Sequence, residues 1–173
     1  MESVTTVPIH IPDGIIPWGL KACIAGGYAA DPTLADDIDV WIFAADAIEM
    51  AATRQRVLDF LFNQRGIEFT EEEGFRKEGA DAYSRSMKVA RVTHPDYTTQ
   101  TIHIMVTTCA SEPDLVSGFD ISTHAIAVTD EGEIVKSSRW TPTTVEPQVM
   151  KMTATTPERL KKISARYAHL RGV

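Results

Sequence analysis

Residues 22–43, ACIAGGYAADPTLADDIDVWIF, constrain this chain more than any other stretch. An apolar run ends at Gly26 and Gly27, a short polar loop follows, and a second run opens on Asp37 and Asp39 with Ile38 between them. Side chains alternate across a strand, so Ile38, Val40 and Ile42 share one face while Asp37, Asp39 and Trp41 share the other. At roughly 3.3 Å of rise per residue, the two carboxylates lie about 7 Å apart along the backbone and can converge on the same ions. Held that close on a partly buried strand they repel, unless protonation or a bound cation neutralises them. Mg2+ is the natural cation, because it takes hard oxygen ligands and completes its shell with water and substrate phosphates. Two such ions can activate an attacking oxygen and stabilise a leaving pyrophosphate. Gly26 and Gly27 complement the acids, since a turn without side chains lets backbone N–H groups approach triphosphate oxygens. Read separately, the glycines also make an ordinary tight turn and the acids a solvated strand end.

The rest of the chain reads as alternating elements. KACIAGG is a short buried strand entering the glycine turn, and DIDVWIF is the second strand. DAIEMAATRQRVLDFLFNQRG is a helix with Asp46 and Glu49 as a cap-like start, Val57, Leu58, Leu61 and Phe62 as the apolar face, and Gly66 as the stop. Residues 70–82, TEEEGFRKEGADA, read as a charged surface loop. SMKVARVTH and QTIHIMVTT form a hairpin joined by PDYTT, and EPDLVSG is a short helix. DISTHAIAVTDEGEIVKS holds two strands around the turn TDEGE, and RWTPTTVEPQV is irregular. TPERLKKISARYAHLRG closes the chain as a helix with Thr156 capping and Pro157 in its first turn. This order predicts an α/β (α+β) domain with a mixed central sheet and flanking helices, and at 173 residues the chain makes one domain, 1–173.

Composition narrows the classes. No stretch approaches the roughly 20 apolar residues of a membrane span, and the N-terminus lacks both a basic region and an apolar signal core. A cytoplasmic protein is expected, without membrane association. Cys23 and Cys109 lack the paired spacing of a zinc site and read as buried free thiols. A net charge of −7 argues against a protein wrapped broadly by nucleic acid, although it leaves room for a local basic patch. That patch is in the last helix, where Leu160, Ile163, Tyr167 and Leu170 line one face and Arg159, Lys161, Lys162, Arg166 and His169 occupy most of the rest. It serves either as a solvated face or as a contact for phosphates. His10, His94, His124 and His169 show no ligand spacing and are expected at the surface.

Taken together, IAGG, nine intervening residues and DIDV resemble the signature of the nucleotidyltransferase superfamily, the polymerase-beta-like fold. GFDISTHAIAV resembles the Phe-Asp strand motif, and RLKKISARYAHLRGV the Arg-rich C-terminal helix, of small predicted nucleotidyltransferases of bacteriophages and large DNA viruses. The resemblance implies a minimal nucleotidyltransferase sheet with flanking helices, Gly26 and Gly27 at the triphosphate, and Asp37 and Asp39 at the metal. It implies transfer of a nucleoside monophosphate from a nucleoside triphosphate to an unidentified acceptor hydroxyl, on a nucleic acid such as tRNA, a protein or a small molecule. The alternative is a catalytically deficient member that binds nucleotide or a protein partner. If the chain is viral, it would act in the host cytoplasm. Lys161, Lys162 and Arg166 are the candidate side-chain contacts to nucleotide.

Fully equipped members of the superfamily carry a third carboxylate on a neighbouring strand. In TIHIMVT the corresponding position is His103, which can accept a proton near neutral pH but is a poor ligand for Mg2+. Asp120 in GFDIS is the other acid expected on a strand. It is read either as the completing catalytic carboxylate or as a buried group tying strand to loop by accepting backbone N–H bonds.

Overall fold

A computed structural model describes residues 9–73, 81–95 and 100–172 of the chain. Seven strands make one sheet: β1 (Ala22–Ala25), β2 (Asp37–Phe43), β3 (Glu68–Glu71), β4 (Ser86–Thr93), β5 (Thr101–Thr107), β6 (Ile126–Thr129) and β7 (Ile134–Lys136), in the spatial order β3-β4-β5-β2-β1-β6-β7. The helices are α1 (Gly27–Ala30), α2 (Ala47–Phe62), α3 (Glu112–Ser117) and α4 (Thr156–Arg166), with single 3-10 turns at Ser122–His124 and Ala168–Arg171. The expected mixed α/β sheet with flanking helices is what forms. β2 and β5 pair in parallel and the other neighbours are antiparallel. A parallel pair needs a long crossover, and here α2, β3 and β4 all intervene in sequence. Among the described residues no helix is long and apolar enough to cross a membrane.

The alternation read from β2 decides the layers. Ile38, Val40 and Ile42 join Ile102, Ile104 and Val106 of β5 in one buried cluster, covered by Met50, Val57, Leu58 and Leu61 of α2. Each such side chain contributes roughly 1.5–3 kcal/mol by leaving water. The helix starts where the sequence indicates, with Asp46 Oδ1 accepting the Glu49 N–H at 2.8 Å. Phe62 departs from the expected face: it is the last residue of the helix and is 82% exposed. On the opposite face Trp41, Cys23, Cys109, Leu115 and Phe119 form a second cluster, with both cysteines buried and unpaired.

Several expectations need correction. Thr70 and Glu71 belong to β3, which pairs with β4, and Asp81 and Ala82 are buried, so the charged loop is shorter than residues 70–82; residues 74–80 lie outside the described residues. The β4–β5 hairpin is present, while residues 96–99 of its turn also lie outside them. Asp120 is not on a strand: it follows α3, and only the adjacent Ile121 makes an isolated bridge, to Val149. Thr156 is the first residue of α4 and Thr155 holds the capping position, because the Thr156 hydroxyl is engaged with Asp120 and Thr153 instead. α4 packs through Ile163 and Tyr167 against Ile121. That contact lays the basic face of α4 along the open end of β2.

Candidate active site

β1 delivers the chain to Gly26, whose φ of 93° lies in the left-handed region that a side chain would strain. The Gly26 N–H is already donated to the Ile126 carbonyl at 3.1 Å, so the turn's free backbone donors begin at Gly27. Gly27 is required by close approach: a Cβ there would meet Arg166 Nη1 and His124 Cε1, both at 3.3 Å. Asp39 Oδ2 would stand 3.7 Å from a Cβ at Gly26, so the glycine turn and the β2 carboxylates are in contact.

On β2, Asp37 is exposed and Asp39 partly buried. Desolvation, reinforced by the charge of Asp37, pushes the Asp39 carboxyl up to about 6, against the opposing pull of His103, Arg159 and Arg166. His103 on β5 lies opposite Asp39 in the parallel register. Its Nε2 is 3.6 Å from Asp37 Oδ1 and its Nδ1 3.6 Å from Glu72 Oε1. His103 thus places an imidazole between two acids. Among the described residues no three His, Cys, Asp or Glu side chains form a metal-binding group.

α4 supplies the cations. Arg166 Nη2 donates to Asp36 Oδ2 at 2.8 Å, and Lys162 Nζ stands 3.9 Å from the same oxygen. Asp36, two residues before the strand acids' apolar partner Ile38, was not singled out from sequence. Lys162 and Arg166 line a cavity of about 140 Å³ together with Gly26, Gly27, Asp37 and Asp39; Lys161 is exposed and does not line it.

Asp120 is buried as one of its two readings expects, but its carboxylate is held by side chains and not by backbone N–H groups. It is 1% exposed, and its carboxylate accepts from Arg159 Nε at 3.0 Å, Arg159 Nη2 at 3.3 Å and the Thr156 hydroxyl at 3.1 Å. The backbone N–H groups of Met150 and Lys151 go to its carbonyl, not its side chain. Arg159 Nη2 also donates to Tyr83 Oη at 2.9 Å, with the guanidinium 5.1 Å from the Tyr83 ring centre. Tyr83 is brought there because the Ala82 N–H donates to the Gly118 carbonyl at 2.7 Å, and it packs with Trp41 and Phe119 at centroid distances of 5.9 and 5.8 Å. Trp41, Tyr83 and Arg159 wall both the small cavity and a neighbouring groove of about 1150 Å³.

His124, expected at the surface, is buried, and so is His94. His124 Nε2 lies 3.1 Å from Tyr167 Oη, and burial, with Arg159 and Arg166 nearby, pushes it down to about 3, so it is neutral. The signal was available: STHAIAV places it directly before an apolar strand, where a surface position is hard to keep. Arg159 could only be seen as one base among several, because its partner Asp120 is 39 residues away.

No family model matches the chain. No curated protein does either. Among solved structures it is similar to a CCA-adding enzyme in an apo form (13% identity, TM-score 0.47, 90% of this chain and 40% of that one). A CCA-adding enzyme with CTP gives 14% identity and a TM-score of 0.44 over 83% of this chain and 28% of the other. Thermotoga maritima CCA-adding enzyme complexed with tRNA gives 17% and 0.41 over 82% and 27%. The chain therefore spans less than half the length of these structures.

Proposed function

We propose that the chain is a Mg2+-dependent nucleotidyltransferase that moves a nucleoside monophosphate from a nucleoside triphosphate to an acceptor hydroxyl. The observation that carries the reading is the convergence of Asp37 and Asp39 with Gly27, Lys162 and Arg166 on one cavity: paired carboxylates for a hard cation beside donors for phosphate. The donor set fits Mg2+. The charge on Asp39 is disfavoured by burial and by Asp37, which a cation relieves, and two carboxylates leave the rest of an octahedral shell to water and phosphate oxygens. Held by Asp37 and Asp39, Mg2+ would supply charge neutralisation at the α-phosphate and a more acidic acceptor hydroxyl.

The chain's own groups bind and orient. Lys162 and Arg166, both placed by Asp36, exchange it for triphosphate oxygens. Arg159, clamped by Asp120 at the boundary of cavity and groove, contacts the phosphate nearest the acceptor. The acceptor oxygen bonds to the α-phosphorus as the bond to the bridging oxygen breaks, and pyrophosphate leaves with that electron pair. The hydroxyl proton passes to the imidazole of His103. Kinship with the small nucleotidyltransferases of bacteriophages and large DNA viruses, and a place in the cytoplasm, belong to the same proposal and rest on the sequence islands that suggested them. Melting the protein with Mg2+, with each nucleoside triphosphate and with both tests the reading. Stabilisation by the combination is expected; a melting temperature indifferent to all of them refutes it.

A second reading, nucleotide binding with slow or absent transfer, is favoured by one observation: His103 faces Asp39 while both oxygens of Asp120 are held by Arg159. In this reading the protein binds nucleotide or a protein partner. His103→Asp is then expected to tighten Mg2+ binding measured by calorimetry, and unchanged affinity counts against it.

A further inference from the structure

The small cavity is about 140 Å³, well below the roughly 300–1,000 Å³ of ordinary ligand pockets. Its size and its lining by Asp37, Asp39, Lys162 and Arg166 suit phosphates and their cation. Beside it lies a groove of about 1150 Å³ that shares the wall of Trp41, Tyr83 and Arg159. The groove lies over β3, β4 and β5 on the Asp39 face, where Thr70, Arg91, His103 and Asp39 form one row across adjacent strands.

Two properties of its described walls limit the occupant. Four carboxylates, Glu71 to Glu73 and Asp81, face four cations, Lys88, Arg91, Lys151 and Arg159. Among the described residues such a balanced wall gives no basic track for a phosphate backbone, whose binding depends on an excess of cations. Among the described residues it also holds two buried polar atoms without a hydrogen-bond partner, one donor and one acceptor: the indole N–H of Trp41, a residue 1% exposed, and Glu72 Oε1. Buried groups of this kind call for a ligand that pairs with them. A hydroxyl can do both, accepting from an N–H and donating to a carboxylate. Glu72 Oε1 is moreover 3.6 Å from His103 Nδ1, which puts this acceptor beside the imidazole that faces Asp39.

We propose that this groove is the acceptor subsite, and that the acceptor is a compact, hydroxyl-rich molecule of little net charge, of the sugar or hydroxy-amino-acid type. The proposal rests on the nucleotidyl-transfer reading of the cavity. Its reaction joins one acceptor oxygen to the α-phosphorus, releases pyrophosphate with the electrons of the broken bond, and leaves the hydroxyl proton on His103.

The test uses the intact chain with Mg2+ and each α-labelled nucleoside triphosphate. A cell extract is divided by ultrafiltration into a low-mass filtrate and a macromolecular fraction, with glucose and serine as defined arms for the two sources. Label joined to a low-mass product is expected, and Thr70→Trp, at an exposed rim position on β3 where tryptophan suits a strand, should lower transfer about tenfold by filling the groove. The same variant should keep the parent's thermal shift with Mg2+ and nucleotide. Label confined to RNA or protein overturns the proposal, as does Thr70→Trp transferring at the parent's rate, or nucleotide binding with no label in either fraction. Absence of any Mg2+–nucleotide shift in the parent instead marks failure of the underlying reading.

Discussion

Replacing Asp39 with Asn is expected to stabilise the metal-free protein at neutral pH while removing its response to Mg2+ and nucleotide. In the folded chain desolvation and Asp37 raise the Asp39 carboxyl from 3.8 to about 6. An acid with a raised folded value adds stability that is complete below the unfolded value and is lost as pH rises through the folded one. The window is therefore pH 3.8 to about 6, and above it the ionised group costs about 3 kcal/mol at most, from about 1.36 kcal/mol per unit. Because Asp39 is only partly buried, solvent screening reduces this to about 2 kcal/mol. For a chain of this size that corresponds to about 4–8 °C in melting temperature. At pH 5 the gain should fall to about half its value at pH 7.5, as the parent takes up the proton. Calorimetric melts of parent and variant at both pH values, with and without Mg2+ and ATP, measure every part of this. An unchanged melting temperature at pH 7.5, or a variant still stabilised by the Mg2+–ATP pair, would refute the reasoning.

Three further outcomes follow from the geometry. His124 is held neutral at about 3 against 6.5 when unfolded, so it contributes stability that is complete above pH 6.5 and lost as pH falls toward 3; His124→Asn should flatten that acid limb by about 1.4 kcal/mol per pH unit in chemical denaturation, measured as a difference from the parent. Lys162→Glu and Arg166→Glu should each weaken triphosphate binding by calorimetry while Lys161→Glu leaves it unchanged, since only the first two line the cavity; equal losses at all three would mean the helix acts by general charge alone. Asp120→Asn should cost about 3 kcal/mol in urea denaturation by leaving Arg159 uncompensated, and its effect on triphosphate affinity should vanish in an Arg159→Lys background; additive effects would separate the two residues.

The local part of the site was legible because its periodicities are local. Alternation over DIDVWIF alone assigns Asp37 and Asp39 to one face and Ile38, Val40 and Ile42 to the other, and the Asp46 cap needs only a residue three positions away. The glycine turn and the α2 helix follow from the same short-range rules. Everything that required a partner distant in sequence was decided by the tertiary structure. The parallel register that sets His103 opposite Asp39 joins strands separated by a helix and two further strands. The pairing of Asp120 with Arg159 and of Asp36 with Arg166 spans 39 and 130 positions, so neither acid's role could be read from its neighbours. Burial of His124 likewise depends on Tyr167, 43 positions away and just past the end of α4. A sequence states which face a side chain takes within its own element; which charges meet across elements is set only when the sheet order and helix packing bring them within a few ångströms.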